Sequence, residues 1–340
     1  MRLRRADPSK PGYTRRRRGK GFSYLDADGR PITDPDEVER ITALVIPPAW
    51  RDVWICPDPR GHLQAVGTDD AGRRQYRYHD VWRAKRDEAK FDHVLEVAAR
   101  LPGLRERVEA DLSRRGYGRE RVLAAAVRLL DEGLFRVGGE EYATDDAAGG
   151  ATFGLATLRR DHVSVRGAAM EFRYPAKGGV ERAQRIEDKR VAAVVRGLLR
   201  RDHDAEELLA FREGRQWRDV RSADVNDYLR EVSGCQISAK DFRTWHATVL
   251  AALTLAGTAA SSQSARKRAV SAAMREVSQY LGNTPTVARA SYVDPRVVDL
   301  FHEGVTVDPP PEGGTHREQA ERAVLGLLDG KSLRSASEQA

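Results

Sequence analysis

The spacing of apolar positions changes character near residue 84. Between residues 21 and 80, apolar side chains come in short runs cut by turn signals at Asp28-Gly29, Pro47-Pro48, Pro57-Asp58-Pro59 and Asp69-Asp70-Ala71-Gly72. Segments such as Asp52-Val53-Trp54-Ile55-Cys56 and His62-Leu63-Gln64-Ala65-Val66-Gly67 are predicted strands. In Arg73-Arg74-Gln75-Tyr76-Arg77-Tyr78 basic and aromatic residues alternate, so a strand here shows both types to a partner. A small β-rich domain is the simplest reading. Beyond residue 84 the period becomes helical. Val191, Val194, Val195, Leu198 and Leu199 form one stripe, and Val270, Ala273, Met274, Val277, Tyr280 and Leu281 another. Ser222 and Gly234 bracket a capped helix. Residues 155–177 interrupt this pattern as a β element, with strand-like stretches at 155–158, 162–165 and 170–174. A proline-glycine break at Pro309-Pro310-Pro311-Glu312-Gly313-Gly314 precedes a weak helix and a polar end, which reads as a tail.

A chain of 340 residues is long enough for two domains. No apolar run approaches the ~18 residues of a membrane span, and the start Met1-Arg2-Leu3-Arg4-Arg5 lacks the apolar stretch of a secretory signal. Two cysteines, Cys56 and Cys235, without a CxxC leave neither a disulfide framework nor a structural zinc site. The expectation is a soluble, reduced, cytoplasmic protein. Net charge is +7, but the first twenty residues alone carry nine Lys/Arg against Asp7, so the rest of the chain sums to −1. A uniformly basic coat is excluded; a basic arm over residues 1–20, with local patches elsewhere, is allowed.

Two tempting motifs fail. Gly330-Lys331-Ser332 resembles the end of a phosphate loop, but Gly326 stands one residue too close. Asp26-Ala27-Asp28-Gly29 starts like a calcium loop, yet Arg30 occupies a ligand position, so a plain turn is expected. Four other places combine a basic or phenolic group with a backbone break. These are Arg136 in Leu134-Phe135-Arg136-Val137-Gly138-Gly139, Lys177 in Ala176-Lys177-Gly178-Gly179, Arg243 in Lys240-Asp241-Phe242-Arg243-Thr244, and Tyr292 after Asn283-Thr284-Pro285. Thr284 can cap a helix begun by Pro285. Each also has a bland reading: Arg136 paired with Glu140 or Glu141, Lys177 a solvated hairpin tip, Arg243 covering a helix, Tyr292 half-buried in a core.

Taken in order, these strings resemble the type IB DNA topoisomerases, specifically the small poxvirus-like branch found in bacteria. Residues 66–78 look like that family's N-terminal DNA-binding segment. Leu134 to Gly138, Gly154 to Leu158, Lys240 to Thr244 and Asn283 to Tyr292 look like its catalytic blocks. The resemblance runs from about residue 20 to 305. It implies that Tyr292 is the nucleophile, attacking a DNA phosphodiester and becoming joined to the 3′ phosphate. Arg136, Arg243 and Asn283 are the implied stabilisers of the charged phosphorus, and Lys177 is the implied general acid, helped by Arg136. The implied duplex contacts are Arg73, Arg74, Gln75, Tyr76, Tyr78, Tyr142 and Lys240. The chemistry is consistent. A phenol of pKa ~10 costs ~4 kcal/mol to ionise at pH 7, and forked guanidiniums suit the oxygens of a five-coordinate phosphorus. The family pattern implies no metal, no small-molecule cofactor and no ATP, because the phosphotyrosine conserves the bond energy. Three positions depart from the family: Ala176 stands where glycine is usual, Asn283 where the viral enzymes have histidine, and Gly139 where the poxvirus enzyme has lysine.

A tyrosine site-specific recombinase shares the Arg…Lys…Arg…Tyr chemistry, but its second arginine usually follows a histidine that is Lys240 here, and its N-terminal part is typically helical. A non-enzymatic DNA-binding protein has no reason to combine Tyr292, Arg243 and Lys177. The expected architecture is α+β, a monomeric clamp around duplex DNA. It comprises a basic arm (1–20), a β-rich N-terminal domain (21–90), a mainly helical catalytic domain with a short sheet (91–308) and a tail (309–340). The charged segment 83–90 would join the two domains.

Overall fold

The computed structural model describes residues 1–19, 21–143, 150–202, 205–308 and 317–330. Lys20, the 309–314 break and the Lys331-Ser332 string lie outside those residues. The chain divides into two compact units, Met1–Phe91 and Asp92–Ala340.

The first unit is built on an antiparallel sheet of β1 (Tyr13–Arg18), β2 (Gly21–Leu25), β3 (Arg51–Ile55), β4 (Leu63–Thr68) and β5 (Arg74–Tyr78), in the order β2-β1-β3-β4-β5. Helix α1 (Pro35–Ala43) contributes Ile41 to a core shared with Val53, Ile55 and Ala65. The basic arm is thus a strand from Tyr13 onward. Alternation explains why: Tyr13 packs on the core, and Arg15, two residues on, donates to the carbonyls of Ile46 (3.0 Å), Pro47 (2.6 Å) and Trp50 (2.7 Å). Its guanidinium also lies 4.2 Å over the Phe22 ring. Arg16, Arg17 and Arg18 remain exposed. Helix α1 was not anticipated, although Asp34 capping Asp36 N and Pro35 in the first turn are a helix-start signature. Asp26 closes a plain turn, its Oδ1 accepting from Asp28 N and Arg30 N. The charged segment 83–90, expected to join the two domains, is helical and lies within α2 (Asp80–Leu112).

The second unit contains α3 (Arg119–Gly133), the hairpin strands β6 (Val163–Arg166), β7 (Ala169–Ala176) and β8 (Val180–Glu187), then α4 (Lys189–Leu199). A two-stranded ribbon of β9 (Ala210–Glu213) and β10 (Gln216–Asp219) follows. The chain continues with α5 (Ser222–Ser233), α6 (Ala239–Ala256), α7 (Gln263–Leu281), α8 (Pro285–Ser291), α9 (Pro295–Glu303) and α10 (Arg317–Leu328). Helix α3 is the hub: Val122 to Val127, Leu129 and Leu130 are all buried. The two apolar stripes face this core on α4 and α7, except that Tyr280 points outward at 49% exposure. Strands β8, β9 and β10 had no counterpart in the sequence reading, because β8 is mostly charged or polar and β9 and β10 are only four residues each. Residues 155–158 are not a strand. Leu155–Thr157 is a 3-10 turn, because Thr157 Oγ1 accepts from Gly154 N (3.0 Å) and pulls the chain into a loop.

Helix α10 belongs to the core. Val324, Leu327 and Leu328 are buried, and Glu321 accepts two hydrogen bonds from Arg105, which also forks onto Asp131 of α3. Burial alone would raise the Asp131 carboxyl. The hydrogen bond from His246 and the charges of Arg317 and Arg105 instead hold it far below the usual carboxylate range. A depressed folded pKa stabilises the fold above the unfolded value of ~3.9, and that stability is lost as pH falls toward the folded value. The melting temperature is therefore expected to drop progressively below about pH 5. Asp131→Asn should lower it at pH 7, by the equivalent of about 3–5 kcal/mol for a broken buried pair, and flatten the acid limb. Thermal denaturation across pH 3–8 measures both; an unchanged acid limb in Asp131→Asn would rule out Asp131 as its source.

Candidate active site

Helix α3 ends at Leu134, which takes the left-handed conformation (φ 51°, ψ 35°) that a non-glycine residue seldom adopts. It is held there by burial of its side chain and by its carbonyl, which accepts from Arg243 Nη1. The reversal sends Phe135 into the core, against Phe172 and Tyr174, and turns Arg136 the other way. The backbone around Arg136 is pinned by the 154–157 turn, with Leu155 N donating to Arg136 O and Ala156 N to Val137 O, both at 2.8 Å. Gly138 (φ 85°) and Gly154 make this possible. A Cβ on Gly154 would lie 2.4 Å from Gly138 N and 2.7 Å from Arg136 O. Two strings that stand apart in sequence therefore back one another as one loop.

Arg243 comes from the first turns of α6, where Asp241 accepts from Ser238 N and fixes the helix start. Its side chain is buried, with Nη2 donating to Leu281 O (2.8 Å) and the guanidinium carbon 5.5 Å from the Tyr292 ring centroid. Burial, followed by the charge of Arg136, pushes Arg243 down to about 10, so it remains cationic at neutral pH. Its Nε is buried without a partner. Tyr292 follows α8, a seven-residue helix with Thr284 as N-cap (Oγ1 accepting from Val287 N, 3.3 Å) and Pro285 at the first position, as the sequence predicts.

Asn283 lies in the link between α7 and α8. Its backbone N donates to Ser278 O, while both side-chain atoms, Nδ2 and Oδ1, are buried without a partner. Buried amides are rarely left this way. Arg136 donates to Gly282 O (3.1 Å) and forms no ion pair with Glu140 or Glu141; Glu140 instead accepts from Ser222 N.

A third guanidinium joins this group unforeseen. Arg182, on β8, donates to Tyr280 O (2.6 Å) and is pushed down by burial, with Arg136 adding to the effect. Its cross-strand partner is Tyr174, which burial pushes up to about 12. The signal was a register position: Arg182 stands opposite Tyr174, and only the pairing of β7 with β8 reveals that.

The remaining expected residues sit elsewhere. Lys177 is exposed at the tip of the β7–β8 hairpin and makes no hydrogen bond or ion pair with the described residues. Lys240 and Tyr142 are exposed in the second unit. In the first unit, Arg74, Tyr76 and Tyr78 share the exposed face of β5, with the two tyrosine rings stacked at 6.2 Å. Gln75 lies on the opposite face and donates to Asp69 Oδ2 (2.9 Å), the same oxygen that receives Arg73 Nε (3.0 Å). The expected duplex-reading set is thus split between two faces of one strand.

Among the described residues no group of His, Cys, Asp and Glu could hold a metal ion, and no helix is long and apolar enough to cross a membrane.

Residues 79–300 match the family model for the eukaryotic DNA topoisomerase I catalytic core, and residues 21–69 match that for the bacterial DNA topoisomerase IB N-terminal domain. A DNA topoisomerase 1B of Acanthamoeba polyphaga mimivirus is 26% identical over 298 residues, covering 85% of this chain and 87% of the viral one. With a catalytic-core match that takes in Arg136, Lys177, Arg243, Asn283 and Tyr292, and a bacterial-type N-terminal match beside it, the chain belongs to the type IB DNA topoisomerase family.

Proposed function

We propose that the protein relaxes supercoiled DNA by transient cleavage of one strand through a 3′-phosphotyrosyl intermediate, with neither ATP nor metal. The observation that carries this reading is the cluster around Tyr292. A buried arginine lies against its ring, and an amide with no partner sits in the short link leading to its helix.

In this scheme the Tyr292 oxygen attacks phosphorus as its own proton is lost to solvent. The P–O5′ bond breaks with its electron pair on O5′, which takes a proton from Lys177. Arg243 and Arg136 neutralise the non-bridging oxygens, and Asn283 Nδ2 donates to one of them. The freed 5′-hydroxyl end rotates about the intact strand and then attacks the phosphotyrosine, restoring the duplex and the phenol. Arg243 is held at both ends by carbonyls of Leu134 and Leu281, so its orientation costs little when DNA arrives. Lys177 has no such hold, and DNA is what would order it.

The first unit would supply the other half of a clamp on the duplex. Arg74, Tyr76 and Tyr78 would meet DNA on one face of β5, while Arg73 and Gln75 would have to leave Asp69 to do so. Lys240 and Tyr142 would contact DNA from the second unit.

The test is incubation of negatively supercoiled plasmid with the protein in chelator and without nucleotide. Stepwise relaxation to a ladder of topoisomers is expected, together with protein trapped on the 3′ end by denaturant. Dependence on paired specific sites would instead indicate a recombinase, and binding without relaxation a non-enzymatic role.

A further inference from the structure

Three consecutive carbonyls at the end of α7 each accept from a different arginine. Tyr280 O takes Arg182 (2.6 Å), Leu281 O takes Arg243 (2.8 Å) and Gly282 O takes Arg136 (3.1 Å). Carbonyls at a helix C-terminus have no partners within the helix and form the negative end of its dipole. They therefore gather three guanidiniums that would otherwise repel. Gly282 lets this happen: its φ is 63°, and a Cβ there would lie 2.5 Å from Arg182 Nη1.

Two of these arginines are already assigned to the phosphate. The third is placed differently. Arg182 stands in β8, paired across the hairpin with Tyr174, and beyond that pair come only Pro175–Glu181, Ala176–Val180 and the turn that carries Lys177. Gly178 (φ 85°) and Gly179 (φ 71°) make that turn, and Lys177 itself makes no hydrogen bond or ion pair with the described residues. The base of the hairpin is anchored by buried Met170 and Phe172, Tyr174 is buried at the level of Arg182, and Ala176 is partly buried against the same core. At its outer end, the side-chain hydrogen bond that reaches α7 is that of Arg182. On the far side of the Tyr280 carbonyl the chain runs directly into Gly282, Asn283 and the helix leading to Tyr292.

We propose that Arg182 is a positioning residue that latches the Lys177 hairpin to the C-terminus of α7, setting the general acid in register with the Tyr292 nucleophile. The proposal rests on the reading of Lys177 as the acid that protonates O5′. Arg182 does not itself touch the phosphate; it acts through the hairpin. Strands rise ~3.3 Å per residue, so the latch lies only ~10 Å along β8 from the turn. Loss of the latch would free the tip to shift, and a misplacement of ~1 Å suffices to cost about 10²-fold in rate.

The test uses single-turnover cleavage of a short duplex carrying either the normal 5′-bridging oxygen or sulfur at the scissile phosphate. A thiol of pKa ~8.5 leaves as thiolate without a proton, whereas an alkoxide needs one. On the oxygen substrate Arg182→Ala should cleave about 10–10²-fold more slowly than wild type, with DNA affinity within a few-fold. On the sulfur substrate that deficit should nearly vanish, as it should for Lys177→Ala. The double variant Lys177→Ala/Arg182→Ala should be no slower than Lys177→Ala alone. Arg182→Lys, which keeps one donor toward Tyr280 O, should recover part of the rate; Arg182→Gln serves as a second variant should the alanine protein melt early.

If Arg182→Ala and Arg182→Gln are equally slow on both substrates while Lys177→Ala is rescued by sulfur, Arg182 acts elsewhere and the latch is wrong. Wild-type cleavage of the oxygen substrate by either variant refutes it equally. If Lys177→Ala is not rescued, the assignment of the acid fails, and the latch fails with it.

Discussion

Tyr292→Phe should bind duplex DNA almost as well as wild type and yield neither relaxed plasmid nor covalent complex. The substitution removes one oxygen from a half-buried ring and leaves the rest of the ring packed, so the fold has little to lose. What disappears is the atom that attacks phosphorus. Neither Tyr174 nor Tyr280 is placed to substitute: Tyr174 is buried with its hydroxyl bonded to Gln184, and the Tyr280 side chain is exposed. Arg243 would keep both carbonyl partners, so affinity for the phosphate should persist. Filter binding together with a denaturing gel of protein on duplex labelled at the 5′ end of the scissile strand measures the two halves separately. Protein linked to the 3′ end in Tyr292→Phe would mean another nucleophile.

Asn283→Ala should slow single-turnover cleavage by about 10²–10³, the usual cost of one donor to a transition-state oxygen, while the melting temperature stays level or rises. The two expectations go together. Both polar atoms of the side chain are buried without partners, a condition that costs stability in the free protein and has no purpose there. Its purpose would come with a phosphate oxygen in reach of Nδ2. The competing reading, that Asn283 caps the helix of Tyr292, disagrees with the geometry, because Thr284 holds that cap through Val287 N. Asn283→Asp should be worse than alanine, since a carboxylate faces the phosphate with like charge. Asn283→His should restore much of the rate through an imidazole N–H and add a pH dependence near 6.5. Near-normal cleavage by Asn283→Asp would remove Asn283 from the site.

Much of this molecule was legible before folding. Local signals sufficed where local physics decides: Thr284-Pro285 starts α8, Gly234 ends α5, and the stripe on α4 faces the core. The order of Arg136, Lys177, Arg243, Asn283 and Tyr292 sufficed to name the family. The errors have local explanations too. Charge dominated the reading of Tyr13–Arg18, but strand alternation put Arg15 among backbone carbonyls instead of in solvent. Gly154-Leu155-Ala156-Thr157 has strand-like residues, yet its threonine closes a turn on its own glycine.

The reactive side-chain types and their positions along the chain are properties of the sequence, because an arginine is cationic and a phenol nucleophilic wherever they stand. Their company is not. Arg136, Arg182 and Arg243 come from a loop, a strand and a helix separated by 46 and 61 positions, and they meet because the carbonyls that end α7 attract all three. The orphaned amide of Asn283 is likewise invisible in one dimension, since a missing hydrogen bond exists only relative to neighbours. Chain order dictated which groups could react, and long-range packing around α3 and the end of α7 dictated which of them stand together.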